Sequence, residues 1–119
     1  MKQYAAGVTA AQLATVATTL PVTSIRTADY ILQLSDAGCL VPVASSSAVT
    51  ITVPSHADVA FVVGTTLYVA QDGTGQVTIA AASGVVVQTA DGYNVAGQWQ
   101  EVALHKRDLN TWVLKGGVR

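Results

Sequence analysis

The side chains that could carry out acid–base, nucleophilic or metal chemistry are few in this sequence and widely spaced. The only histidines are His56 and His105, and the only cysteine, Cys39, lies far from both. None of these residues has the spacing of a metal site, so we expect no metal and no cofactor. A single cysteine cannot form an internal disulfide, and the apolar run around Cys39 predicts a buried free thiol.

Serine and aspartate side chains offer no better catalytic arrangement. Residues 45–47 are a serine turn cluster without the motif of a nucleophile elbow, and nothing supports a triad with either histidine. Asp36, Asp72 and Asp91 each lie in a glycine-containing turn, where backbone hydrogen bonding already accounts for an aspartate. We therefore predict that the protein is not an enzyme. A hydrolase is the least supported of the functions that we consider.

Aromatic and glycine residues suggest ligand sites that are also explained without a ligand. Residues 73–75 (GTG) are too short for a phosphate loop and are not followed by a helix. The aromatic residues could line a sugar-binding groove, but we favour their packing in a core or an interface. The four that could line such a groove are Tyr68, Tyr93, Trp99 and Trp112.

The elements that position these side chains are predicted to be short β-strands. Residues 30–35 and 49–53 alternate between apolar and polar types, which is the period of a half-buried strand and places Tyr30, Leu32 and Leu34 on one buried face. Residues 72–75 (DGTG) predict a hairpin turn whose glycines supply positive φ, and residues 98–115 predict a last hairpin. This spacing leaves no room for crossover helices, and it predicts an all-β fold, an antiparallel β-sandwich or barrel of about eight or nine short strands.

The chain is predicted to divide into an N-terminal arm, residues 1–25, and a β-domain, residues 26–119. The first segment is rich in Ala and Thr and has one lysine as its only charged residue. Leu13, Val16 and Leu20 would share one face of a short helix, but abundant Thr and Val disfavour a helix. We favour an extended arm that lies on a neighbouring molecule.

The chain has fewer charged residues than soluble domains normally place on their surface. Only 11% of its 119 residues are charged and half are hydrophobic, against about 25% charged residues in typical soluble domains. We expect other copies or a larger assembly to cover much of the surface. The alternative is a small sandwich that Thr, Ser and Gln keep soluble. The net charge of −1 gives no general attraction to nucleic acid or to an anionic membrane.

The charges are unevenly distributed along the chain. Residues 29–101 contain six acidic residues and no Lys or Arg, whereas residues 106–119 contain four bases and one acid. Such a division would allow a basic end to dock on an acidic surface, although scattered loop charges without a role explain it equally well. No run reaches the length of a membrane span and the first residues are a poor signal peptide, so we expect synthesis in a cytoplasm.

Motifs of strand and turn residues follow one another in a specific order over residues 26–119. They are 30–41 (YILQLSDAGCLV), 47–54 (SAVTITVP), 61–67 (FVVGTTL), 73–81 (GTGQVTIAA), 83–85 (SGV), 102–106 (VALHK) and 110–116 (NTWVLKG). This order resembles a small β-module of structural proteins of tailed bacteriophages, which include tail-fibre ends and small virion surface proteins. Cys39 stands where that module has a lysine. The resemblance implies no common active site.

The resemblance implies a place on the virion. Only about 25 residues precede the module, which favours a capsid decoration protein over the tip of a long fibre. We predict a head decoration protein of the capsid surface, made in the host cytoplasm. It would bind itself, as a homotrimer, and the major capsid protein, with no nucleic acid, membrane or small-molecule substrate. The alternative is a tail-fibre or tail-tip module that recognises a host glycan. The predicted partner-binding residues are Val8, Leu13, Val16, Leu20, Lys106, Arg107 and Arg119.

Overall fold

The computed structural model describes residues 19–119, and their regular structure is almost entirely β, which confirms the all-β prediction. A 3₁₀ turn at Leu34–Asp36 is the one helical element of these residues, so none of their helices could span a membrane. The strands are β1 (Tyr30–Ile31), β2 (Leu40–Val43), β3 (Val49–Val53), β4 (Thr66–Gln71), β5 (Val77–Ala81), β6 (Val86–Thr89), β7 (Glu101–Asp108) and β8 (Thr111–Gly116).

The strands form two sheets, and the chain crosses from one to the other after each of its first five strands. The smaller sheet has the order β1-β3-β5 and the larger one the order β2-β4-β7-β8-β6. Both sheets contribute to one hydrophobic core, with Ile51 and Val77 from the smaller sheet and Leu67 and Leu104 from the larger. Each sheet has two end strands, so neither closes into a barrel.

The predicted antiparallel pairing is wrong for most strand pairs. The pairs β1–β3, β2–β4, β3–β5 and β6–β8 are parallel, and only the two ladders of β7 are antiparallel. For the first three pairs the chain crosses to the other sheet and back between the paired strands, so the second strand runs in the same direction as the first. The strands β6 and β8 stay in one sheet and are parallel because the intervening β7 runs in the opposite direction. The last predicted hairpin is present, since β7 and β8 place Leu104 opposite Leu114.

The glycine turn after β4 is a corner between sheets and not the predicted hairpin. It joins β4 in the larger sheet to β5 in the smaller one. Gly75 donates its N–H to the Ser45 carbonyl at 2.8 Å, and a Cβ on Gly75 would overlap the Ser47 carbonyl. Neither Gly73 nor Gly75 has a positive φ. Glycine is therefore needed here because two backbone segments approach closely.

The described part of the predicted arm lies along its own domain. The Leu40 N–H donates to the Pro21 carbonyl at 2.8 Å, and the Thr23 and Arg26 N–H groups donate to carbonyls of β2 at 3.0 and 2.9 Å. Residues 21–26 therefore form a ribbon beside β2, with parallel bridges at Val22 and Arg26. Residues 1–18 lie outside the described residues, and with them Val8, Leu13 and Val16.

Candidate functional site

Large apolar side chains are exposed where the chain enters the fold. We call this surface the N-terminal edge. The exposed fractions of its five side chains lie between 43% and 62%. Its members are Leu20, Val22, Ile25, Ile31 and Leu34. Of these five, only Leu20 is among the partner-binding residues predicted from the sequence.

Both sheets begin at the N-terminal edge. The ribbon of residues 21–26 lies beside β2, and β1 is an end strand of the smaller sheet. Among the described residues, neither has a neighbouring strand on its outer side. Apolar strand edges of this kind can pair with a strand of another chain. The N-terminal edge therefore offers both apolar area and backbone hydrogen-bonding groups.

A buried polar cluster holds the two parts of the N-terminal edge together. The Arg26 guanidinium lies 4.0 Å from the centre of the Tyr30 ring, and its Nη2 donates to the Tyr30 hydroxyl at 3.2 Å. That hydroxyl donates to Oδ2 of Asp36 at 2.7 Å, and the Gln33 N–H donates to the same oxygen at 2.8 Å. The cluster thereby links the ribbon, β1 and the 3₁₀ turn.

This cluster overturns two local predictions. Asp36, predicted to be a turn residue, is 0% exposed, whereas Leu34, predicted to lie on the same face as Tyr30, is 56% exposed. The strand predicted over residues 30–35 ends at Ile31 because the Asp36 carboxylate holds the Gln33 N–H and starts a 3₁₀ turn. Burial, together with the hydrogen bond and charge of Asp36, raises the pKa of Tyr30 to about 12.

The three basic residues of the predicted partner surface do not lie together. The Arg107 side chain is exposed and its Nε donates to Nδ1 of His105 at 2.9 Å. Arg119 is exposed as well, and its Nη2 donates to Oε1 of Gln76 at 2.7 Å. Lys106 is only 1% exposed, so its assignment to a partner surface is wrong. For Arg107 and Arg119 the assignment stays a prediction.

Lys106 is instead a buried amine beneath the loop that precedes β4. Its Nζ donates to the Phe61 carbonyl at 2.7 Å and lies 2.7 Å from Nδ1 of His56. The Trp112 ring centre is 5.9 Å from the same nitrogen, and Phe61 packs edge-to-face on Trp112. Burial lowers the pKa of Lys106 because the charged form loses hydration. This arrangement ties the loop to β7.

We expect Lys106→Met to remove a rise of stability with pH. Between the lowered pKa of the folded state and the ordinary value of 10.5, the unfolded chain binds more protons than the folded protein. The wild-type free energy of unfolding therefore rises with pH in that window, by up to about 1.4 kcal/mol per pH unit. Urea denaturation at a series of pH values from 7 up to 10.5 measures this slope, and comparison with the control at each pH removes the contribution of Tyr30. The exposed Lys115→Met is the control, and an unchanged slope in Lys106→Met would contradict the assignment.

The two tryptophans considered for a sugar-binding groove lie in different environments. Trp112 is 1% exposed and belongs to the core, whereas Trp99 is 74% exposed. Cys39 is half-buried, and its thiol contacts the carbonyls of Ser35 and Ala37. Within residues 19–119, no three His, Cys, Asp or Glu side chains are grouped so that they could hold a metal ion.

Comparisons of this chain with protein-family models, with curated proteins and with solved structures found no match. The resemblance to a bacteriophage module rests on the sequence motifs and stays a prediction. The structure adds one physical relation to those motifs, because the tyrosine and aspartate of the first motif, Tyr30 and Asp36, are hydrogen-bonded to each other.

Proposed function

We propose that this chain is a structural protein of a bacteriophage virion. It binds the capsid surface as an oligomer, a homotrimer in the simplest arrangement, and stabilises the shell. The observation that carries this proposal is the N-terminal edge, where apolar side chains and outer strand edges coincide. A protein that binds the assembled shell and not its dissociated subunits shifts the equilibrium toward the shell.

The binding free energy available at the N-terminal edge is suited to a weak contact that is repeated many times. Burying the exposed half of one large apolar side chain contributes roughly 1 kcal/mol, so five such side chains contribute several kcal/mol. One contact of this strength is modest, but linked copies bind together much more tightly than single copies do. The edge is therefore suited to an oligomer that engages several capsid subunits at once.

The rest of the chain is consistent with burial between subunits. Residues 1–18 lead directly into the N-terminal edge, and we propose that Val8, Leu13 and Val16 extend its contact with the neighbouring molecule. Arg107 and Arg119 would then meet acidic groups of the partner.

We also propose that the two sheets pack face to face as a β-sandwich, which the single core with side chains from both sheets supports.

Separating virion heads from tails and counting the peptides of this chain by quantitative mass spectrometry tests the proposed location. We expect the chain to travel with heads, in far more copies than any tail protein. A few copies that travel with tails would contradict decoration and favour a receptor-binding module. Absence from both fractions would overturn the virion proposal.

A further inference from the structure

Trp99 combines high exposure with an unfavourable backbone conformation. Its side chain is 74% exposed and its φ is +67°, and no other non-glycine residue among those described has a positive φ. This conformation is unfavourable for a bulky side chain, and glycine adopts it freely. The Trp99 indole lies outside the core, so packing of the side chain does not offset this backbone strain. Such strain is typical of positions that serve binding.

Hydrogen bonds on both sides hold the backbone of Trp99 in place. Its N–H donates to the Gln71 carbonyl at 2.7 Å, and the Gln71 N–H donates to the Gln100 carbonyl at 3.0 Å. The Gln100 N–H donates to the Gly97 carbonyl at 3.2 Å, which closes a tight turn around Trp99. A ligand that stacks on the indole would therefore meet a backbone that is already ordered, which reduces the entropic cost of binding.

The side chains in the two segments that flank Trp99 are mostly polar. The Gln98 amide donates to the Asp72 carbonyl at 3.1 Å, which places these two residues side by side. Gln98, Gln100 and Glu101 are all exposed. Residues 71–74 and 97–101 contain no Lys or Arg, and the Arg119 guanidinium is already held by Gln76, a hydrogen-bond partner of Gln71. The carboxylates of Asp72 and Glu101 disfavour phosphate and nucleic acid as ligands.

We propose that Trp99 is the platform of a carbohydrate-binding site. The C–H face of a neutral pyranose ring would stack on the indole, whose face carries partial negative charge. Sugar hydroxyls both donate and accept hydrogen bonds, as do the amides of Gln98 and Gln100, and the Asp72 carboxylate accepts them. This site goes beyond capsid attachment because none of its residues belongs to the N-terminal edge.

A glycan array followed by isothermal titration calorimetry with the free sugar of any glycan that binds tests this site, because calorimetry measures affinity without relying on Trp99 as a reporter. In the wild type, a change of tryptophan emission on binding would also show contact with Trp99, since Trp112 is buried. Trp99→Gly is the informative variant, because glycine adopts φ +67° without strain and the variant should melt at or above the wild-type temperature. Val62→Ala is the matched control, since Val62 is 77% exposed elsewhere on the surface.

We expect the wild type and Val62→Ala to bind the same glycan with equal affinity, and Trp99→Gly to bind it at least tenfold more weakly. Absence of binding by the wild type, or equal binding by Trp99→Gly, would overturn the proposal. Reduced self-association of Trp99→Gly, without any glycan bound by the wild type, would instead identify Trp99 as a contact between copies. These outcomes leave capsid decoration unaffected, because the head and tail fractions decide it separately.

Discussion

Replacing Val22 and Ile31 together by aspartate should abolish self-association and capsid attachment while the domain stays folded. The two side chains are 62% and 53% exposed and belong to the outermost strand segment of each sheet. In the free monomer the new carboxylates remain in water, and surface substitutions of this kind change stability by about 0.5 kcal/mol or less. In an assembly they must lose that hydration, which costs several kcal/mol.

Sedimentation equilibrium and co-sedimentation with capsids measure this effect. We expect association to weaken at least 100-fold, which corresponds to about 3 kcal/mol. The control replaces Val62 and Leu109 by aspartate, because these side chains are 77% and 52% exposed and lie outside the N-terminal edge. If the edge variant associates like the wild type, or if the control fails equally, the N-terminal edge is not the contact surface.

Replacing Asp36 by alanine should lower the free energy of unfolding by about 3 kcal/mol or more. Its buried carboxylate accepts hydrogen bonds from the Tyr30 hydroxyl and the Gln33 N–H, and both donors would lose their acceptor. Both hydrogen bonds are partly buried, and a hydrogen bond to a charged group contributes about 1.5–3 kcal/mol. The Nε of Arg26 and the Oδ1 of Asp36 are both buried without a hydrogen-bond partner, so losing the negative charge near Arg26 adds to the cost while losing Oδ1 offsets part of it.

Urea denaturation at pH 7 gives the free energies needed for this comparison. Asp58→Ala is the control, because that carboxylate is exposed and should change stability by about 0.5 kcal/mol or less. Tyr30→Phe removes the hydroxyl but leaves the Gln33 hydrogen bond, so it should cost less than Asp36→Ala. Equal stability of Asp36→Ala and the wild type would show that the buried cluster does not brace the N-terminal edge.

The all-β class was predictable because apolar and polar residues alternate along a strand whose alternate side chains are buried. Val49–Val53 follows it fully, with Val49, Ile51 and Val53 buried and the intervening threonines half-buried. The β7–β8 hairpin was predictable for the same reason, since its strands are close in sequence. Local patterns carry these features because they depend on neighbouring residues alone.

The direction of strand pairing could not be predicted from such patterns. Alternation shows which side chains face a core, but it does not show which strand lies alongside. A glycine turn such as residues 72–75 fits a hairpin and a corner between sheets equally well, and only the distant contact of Gly75 with Ser47 distinguishes them. That contact depends on the assembled fold.

The candidate surface was only partly predictable, for two physical reasons. Leu34 was assigned to a buried face, because the sequence pattern did not show that the Asp36 side chain would interrupt the strand. Lys106 was assigned to the surface by charge alone, although a signal against this was present. It lies two residues after Leu104 and four after Val102, so the two-residue period places all three on the buried face.

Electron cryo-microscopy of the virion would show whether the N-terminal edge is the surface that attaches this chain to the capsid. We expect repeated copies of the chain on the head surface, each with Val22, Ile25 and Ile31 covered by a neighbouring copy or by the major capsid protein. Copies confined to the tail, or head-bound copies whose N-terminal edge faces solvent, would contradict it.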